Sequence, residues 1–483
     1  MNDANAAPTP PGASARTPRR DPGEPATYTA TPFDALEVGM EATATRLCVA
    51  DDLYVFAHAS GNLNPMHLPR EDGDGDGEPE AVAPSMWLGA LISSVLGNRL
   101  PGPGTLYRSQ TLRFVGRAHA GDEVTVGVRL TGKGEGRVAR FDTWVDGPHG
   151  RVVEGEAEVI APDAARSFAL DDVPGLTVRR HVHFDALLER AERLAPIRTA
   201  VACPEEENSL GGALLAMDHT LIVPILVGDE AKVRAAAEAI GRPLDGIEIV
   251  HEPDHALAAR RAVALVNEGR AGALMKGHLH TDELLRAVID KMDGLRTGRR
   301  LTHCFVMDVP GVDHLVIVTD AAINIAPDLK TKVDIVQNAI DLARSLGIET
   351  PRVGILSAVE TVNPAIPSTL DAAALSKMSE RGQIRGGIVD GPLAMDNAVD
   401  AEAAATKGIR GLVAGRAEVL VAPNMEAGNM IAKQLSFVAH AEAGGIVIGA
   451  RVPVILTSRA DDDAARLASC AVAALYGAAN PPA

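Results

Sequence analysis

The stretch His314–Leu329, HLVIVTDAAINIAPDL, decides how the chain is read. Leu315 to Val318 are apolar without alternation, and Thr319 and Asp320 then open a polar cluster that runs to Asp328. A short unbroken apolar run suits a strand covered on both faces, and the polar cluster marks where that strand ends. Ten further runs behave alike: TAVAC, TLIVPILVG, IEIV, GALMKG, CFVMDV, RVGILSA, GGIVDG, VLVAP, GIVIGA and VPVILTS. Amphipathic segments separate them, so residues from about 185 onward predict an α/β domain with a mainly parallel sheet, in one piece or two lobes.

In such sheets ligands bind beyond the carboxyl ends of the strands. Five polar clusters stand there: TDAAINIAPD (319–328), LSAVETVNP (356–364), DGPLAMDNA (390–398), APNMEAGNMIAKQ (422–434) and LTSRADD (456–462). Their glycines let backbone N–H groups approach an anion, and helices that start there present positive dipole ends. Ser458 with Arg459, taken alone, reads equally as a turn followed by a surface charge. Five clusters in series point to a site.

Upstream, the periodicity differs. MWLGALISSVLGNRL (Met86–Leu100) spaces Leu88, Leu91, Ile92, Val95 and Leu96 as one helical face. After the breaker PGPG, Val124, Val126, Val128 and Leu130 alternate with polar or small residues, as do Val153, Ala157 and Val159. Period two predicts antiparallel strands with one wet face, here wrapped around one apolar helix. The predicted organisation is a tail (1–28), an α+β domain (29–165), a linker (166–185) and the α/β domain (186–483).

The net charge of −18 argues against nucleic acid, which needs clustered Lys and Arg, and against anionic membranes. Cys48, Cys203, Cys304 and Cys470 are scattered, as in reduced cytoplasmic proteins. No apolar run reaches membrane-spanning length. HEPDH (251–255) imitates a zinc motif, but Pro253 suits the first turn of a helix, which leaves His251 outside it. EDGDGDGEPEA offers Asp72, Asp74 and Asp76 in calcium-loop order, yet Ala83 stands where the bidentate glutamate belongs. That segment reads as a solvated acidic loop.

The blocks ALMKGHLHTDELLRAV, TDAAINIAPDLKTKVDIVQNAI, GQIRGGIVDGPLAMDNA, APNMEAGNMIAKQL and ILTSRAD resemble the phosphate acetyltransferase and phosphate butyryltransferase family, over about residues 185–483. The resemblance implies the reaction acyl-CoA plus phosphate to acyl phosphate plus CoA. Coenzyme A is then a substrate, and no metal or bound cofactor is required. It implies that Ser458 and Arg459 handle phosphate and the acyl carbonyl. It further implies that Lys276, Asp320, Asn324, Asp390, Asn424, Gly428, Asn429 and Lys433 line the pocket. Arg286 is a candidate CoA or phosphate contact, or an ordinary helix-surface arginine. Acetyltransferase members carry an aspartate seven residues after the serine, and Ala465 stands there. Asp461, Asp462 or Asp463 is left to take the thiol proton, or none is needed.

FAHASGNLNPMHLP (56–69) with PGPGTLYRSQTLRF resembles MaoC-like, hotdog-fold R-specific enoyl-CoA hydratases. Such members pair an aspartate with a histidine five residues on, and here the pair is Asn62 and His67. An amide cannot take up a proton near neutral pH, so hydration is in doubt. The whole chain resembles bifunctional enoyl-CoA hydratase/phosphate acetyltransferases. A homo-oligomer, dimer or larger, is expected. A non-catalytic acyl-CoA-binding or oligomerisation scaffold is one alternative, and a metal-dependent dehydrogenase of the same sheet architecture is the other.

Overall fold

A computed structural model describes residues 27–169, 178, 181–456 and 462–481. The chain divides into two compact units, 1–178 and 179–483.

In the first unit β1 (Thr27–Thr29) pairs antiparallel with β8 (Ser167–Ala169). Both strands encroach on segments expected to be tail and linker: their short alternating pattern is too brief to register as strand until the two edges meet. The main sheet holds β2 (Glu41–Leu47), β3 (Leu106–Gln110), β4 (Arg113–Phe114), β5 (Glu123–Lys133), β6 (Val138–Gly147) and β7 (Gly150–Ile160). It runs in the order β2-β5-β6-β7-β3, with β4 also on β7 and every pairing antiparallel. Val124, Val126, Val128 and Leu130 turn inward to the helix Ser85–Asn98, whose Leu88, Ile92, Val95 and Leu96 are fully buried. Each such side chain contributes about 1.5–3 kcal/mol. This is the sheet wrapped around one apolar helix that the periodicity predicts.

The second unit realises all eleven apolar runs as strands of one sheet. In chain order they are β9 (Ile197–Ala202), β10 (Ile222–Gly228), β11 (Glu248–His251), β12 (Ala273–Lys276), β13 (Thr302–Asp308), β14 (Val316–Thr319), β15 (Arg352–Leu356), β16 (Ile388–Leu393), β17 (Val419–Val421), β18 (Glu442–Ile448) and β19 (Val454–Ile455). The sheet order is β11-β10-β9-β12-β19-β18-β13-β14-β17-β15-β16. The strands β11 to β19 in that order are mutually parallel, as are β14 to β16. Between them the pairs β19–β18, β18–β13 and β13–β14 are antiparallel. Three reversals leave the two parallel blocks pointing in opposite directions.

The register turns this into a site. Val201, Met275, Ile455, Ile446, Cys304, Thr319, Val421 and Ile355 form one row across eight strands. At that row β12, β19, β14, β17 and β15 reach their carboxyl ends or lie one residue short of them, so the loops of the two blocks leave from one level in opposite directions.

Candidate functional site

Ser458 and Arg459, with Thr457 and Asp461, lie outside the described residues. The approach to them is described: Leu456 follows β19 and its N–H donates to the Gly445 carbonyl at 3.4 Å. Leu456 packs, together with Ile323, against a cluster that contains Leu279 and Leu284. The loop after β14 and the helix Thr281–Val288 therefore share one hydrophobic support with the end of β19.

Asp320 heads that loop and is buried. Its carboxylate accepts the N–H groups of Ala322 (2.9 Å), Ile323 (3.0 Å) and Asn324 (3.3 Å), and the Asn324 amide as well. Asn324 Nδ2 also donates to the Leu301 carbonyl at 2.9 Å. These two side chains hold the loop's shape. Next to them, Asn429 Nδ2 donates to the Ala321 carbonyl at 3.1 Å. Gly428 is demanded by proximity, because a Cβ there would stand 2.4 Å from the Asp320 carbonyl oxygen. Asn424 caps the helix Met425–Phe437, its Oδ1 accepting from Ala427 N–H at 2.9 Å. Asp320, Asn324, Asn424, Gly428 and Asn429 thus form one structural group; Lys433, one turn further along that helix, is exposed. Lys276 ends β12, buried.

Asp390 and Arg286 stand outside this group. Asp390 lies inside β16, which continues to Leu393, and not beyond a strand end. The glycine after it reads as a strand stop, but the edge pairing with β15 carries the strand on past it. Arg286 points outward on its helix, 74% exposed, and pairs with Asp282 at 2.6 Å, one turn away. The surface reading of Arg286 fits this geometry. Of the aspartates near Ala465, Asp462 is committed to capping: its Oδ1 accepts the Ala465 N–H at 2.9 Å. Asp463 is 80% exposed and lies 3.5 Å from Arg466.

The structure adds two titratable groups. His303 is buried against Phe305 with its rings edge-on at 4.5 Å, and among the described residues its Nδ1 has no hydrogen-bond partner. Burial holds it neutral, below the usual imidazole range, against the opposing charge of Asp320. Glu442, at the head of β18, is pushed up to about 7 by burial, then by the charges of Asp462 and Asp308. Nothing in the periodicity of THCFVMD or EAGGIVI distinguishes these residues from neighbouring strand positions.

In the first unit, the helix Ala50–Ser60 ends at Gly61, in the left-handed region at φ 72°. Asn62 Oδ1 accepts the Asn64 N–H at 3.3 Å, and Asn64 Oδ1 accepts the Met66 N–H at 3.2 Å. His67 Nδ1 stands 2.9 Å from the Val82 carbonyl. A carbonyl can only accept, so Nδ1 carries the proton and Nε2 keeps its lone pair. Asn62 is exposed; the structure gives its oxygen a turn-forming role and His67 a fixed tautomer. A pocket of about 320 Å³ lies nearby between Val55, Phe56, Trp87, Leu91 and Val126. The acidic loop is solvated, as expected. It is stitched by its own backbone: Asp72 accepts from Gly77 N–H at 2.9 Å, and Glu80 accepts from Gly73 N–H at 2.8 Å.

Residues 254–474 match the family model "phosphate acetyl/butaryl transferase", and residues 17–145 match the "MaoC like domain". A phosphate acetyltransferase of Rhizobium meliloti is 59% identical over 295 residues, 61% of this chain and 93% of that protein. A phosphate butyryltransferase of Clostridium acetobutylicum is 44% identical over 60% of this chain and 97% of that protein. The crystal structure of a branched-chain phosphotransacylase from Enterococcus faecalis V583 shares 31% identity, covers 58% of this chain and 98% of its own, and superposes with a TM-score of 0.52.

Proposed function

Because the chain belongs to the phosphate acetyl/butyryltransferase family, we propose that its second unit transfers an acyl group between coenzyme A and phosphate. The carrying observation is the row at which strands of both blocks end, with the Asp320 loop and the end of β19 on one hydrophobic support. Direct transfer brings a thiol, a carbonyl and a phosphate together. Positioning and charge stabilisation then supply most of the acceleration.

In this reading Arg459 presents its guanidinium fork to the phosphate oxygens, and the Ser458 hydroxyl donates to the oxygen that gains charge on the acyl carbon. Lys276 and the helix N-terminus at Asn424 add positive potential. Asp320 and Asn324 act through the loop they hold. Asp462 is engaged as a helix cap, so the CoA thiol ionises unaided or through Asp461 or Asp463; a thiol pKa near 8.5 makes unaided ionisation feasible.

For the first unit we propose acyl-CoA binding with hydration limited by Asn62. His67 Nε2 is available as a base, but no carboxylate stands at position 62 to move the second proton. The two compartmental readings, a homo-oligomer and a cytoplasmic location, are proposed on the same resemblance and on four cysteines that are all free and buried. Among the described residues no helix is long and apolar enough to cross a membrane.

The test measures acyl phosphate formation from CoA thioesters of two to six carbons plus phosphate, paired with crotonyl-CoA hydration on the same preparation. Wild-type protein should form acyl phosphate, and Arg459→Ala should lose about 10²–10³-fold in kcat. An unchanged rate in Arg459→Ala would remove the role assigned to Arg459, and no acyl phosphate from the wild type would favour the scaffold reading. Asn62→Asp should raise hydration about 10²–10⁴-fold if the missing base is the limit. Equal hydration by wild type and variant would show that His67 and water suffice.

A further inference from the structure

The sequence motif HEPDH does not hold a metal through its two histidines. His251 belongs to β11, where its Nδ1 accepts the Glu230 N–H at 3.2 Å, and His255 starts the next helix. The structure gives His255 different company. Its Nε2 lies 3.1 Å from a carboxylate oxygen of Glu205, and Cys203 completes a group whose ligand atoms all lie within 4.8 Å of one another. We propose that Cys203, Glu205 and His255 form a binding site for a borderline divalent cation of the zinc class.

Three features carry this. The donor set is chemically that of zinc: one thiolate, one imidazole and one carboxylate, with ligand–metal lengths of about 2.0–2.3 Å. A tetrahedral ion with such bonds needs donors a little over 3 Å apart, which the His255–Glu205 pair already meets.

The ligands are also built in. Cys203 and Glu205 follow β9, and His255 follows β11, on the carboxyl edge of the parallel block. Glu205 is only 3% exposed, and its other oxygen accepts the Asp229 N–H at 3.0 Å, which orients the carboxylate. Cys203 itself sits in the left-handed region at φ 54°, a conformation that a residue with a side chain keeps only under constraint. Gly228 and Gly277 crowd it from both sides: a Cβ at Gly277 would meet the Cys203 carbonyl at 2.4 Å, and one at Gly228 would meet Glu205 at 3.0 Å.

A further imidazole stands beside the group. The His278 ring is edge-on to His255 with centroids 6.3 Å apart, and its buried Nδ1 has no hydrogen-bond partner among the described residues, although a Glu206 oxygen stands 2.6 Å away. The competing cation is Lys232, whose Nζ lies 3.2 Å from Glu205; it is 55% exposed and can be displaced into water.

The experiment titrates cobalt(II), then zinc(II), into untagged, chelator-stripped full-length protein and follows the thiolate-to-cobalt charge-transfer band. That band separates this site from the acidic loop at Asp72, which has no sulfur. One equivalent of cobalt should give the band, and zinc should displace it. Cys203→Ser should abolish the band. His255→Ala should weaken cobalt binding about 10-fold or more. Lys232→Ala, an exposed change that should not disturb folding, should tighten binding by removing the competitor for Glu205. No band in the wild type, a band that survives in Cys203→Ser, or no gain in Lys232→Ala would each overturn the site. Acyl transfer is not read in this experiment, so its outcome is independent of the proposed transferase activity.

Discussion

Asp320 and Asn62 head two loops in two units, and both accept N–H groups from residues just ahead of them. Asp320 is buried and takes three backbone N–H groups and a side-chain amide; the exposed Asn62 takes the Asn64 N–H at 3.3 Å. A buried carboxylate is tolerable only when donors replace the water it has lost. The first loop is therefore fixed by its acid, while the second is shaped mainly by the helix end at Gly61 and the Asn64 cap.

The sharpest way to break this comparison is Asp320→Ala. It leaves several part-buried donors without their carboxylate, so the second unit should lose about 1–3 kcal/mol in urea unfolding. Acyl transfer should fall with it. A loss below about 1 kcal/mol would mean that water satisfies the loop and that Asp320 is available for substrate. Gly428→Ala attacks the same loop from the neighbouring helix. Its methyl would collide with the Asp320 carbonyl, and overpacking of this kind costs about 1–3 kcal/mol. An unchanged melting temperature would show that the helix slides without cost.

How much of this could be read in advance depends on the kind of signal. The eleven strands were legible because burial on both faces writes an unbroken apolar run. Their directions were not: Val316–Thr319 has the same run length whichever way it is traversed, so the three central reversals stay hidden. Asn424 was expected in the pocket, and its capping of the helix Met425–Phe437 was not read from the sequence. For Arg286 the contact and surface readings both stayed open, because the face of a helix that carries a site depends on packing far away in sequence. The pairing of Glu205 with His255 spans fifty positions, and no local period records it.

Glu442 extends the comparison to a carboxyl without such donors. Burial and the charges of Asp462 and Asp308 raise its pKa to about 7, above the unfolded value near 4.5. The folded state therefore holds the proton more tightly, and stability falls as pH rises from about 4.5 through 7. Glu442→Gln should be neutral at pH 5 and stabilising at pH 8, by roughly 1–2 kcal/mol after solvent screening. Melting curves at the two pH values decide it; equal shifts at both would mean that His181, 3.8 Å away, takes up the charge.

Asn62→Ala should have the smallest effect. The side chain is exposed and its one bond to Asn64 is long, so the first unit should change by less than about 0.5 kcal/mol. This is also the cleanest separation of shape from chemistry. If Asn62→Ala leaves unfolding unchanged, any gain in hydration from Asn62→Asp belongs to the carboxylate as a base, because the loop did not depend on what stood there. If Asn62→Ala costs as much as Asp320→Ala, the two loops are built alike, and the amide is retained for structure.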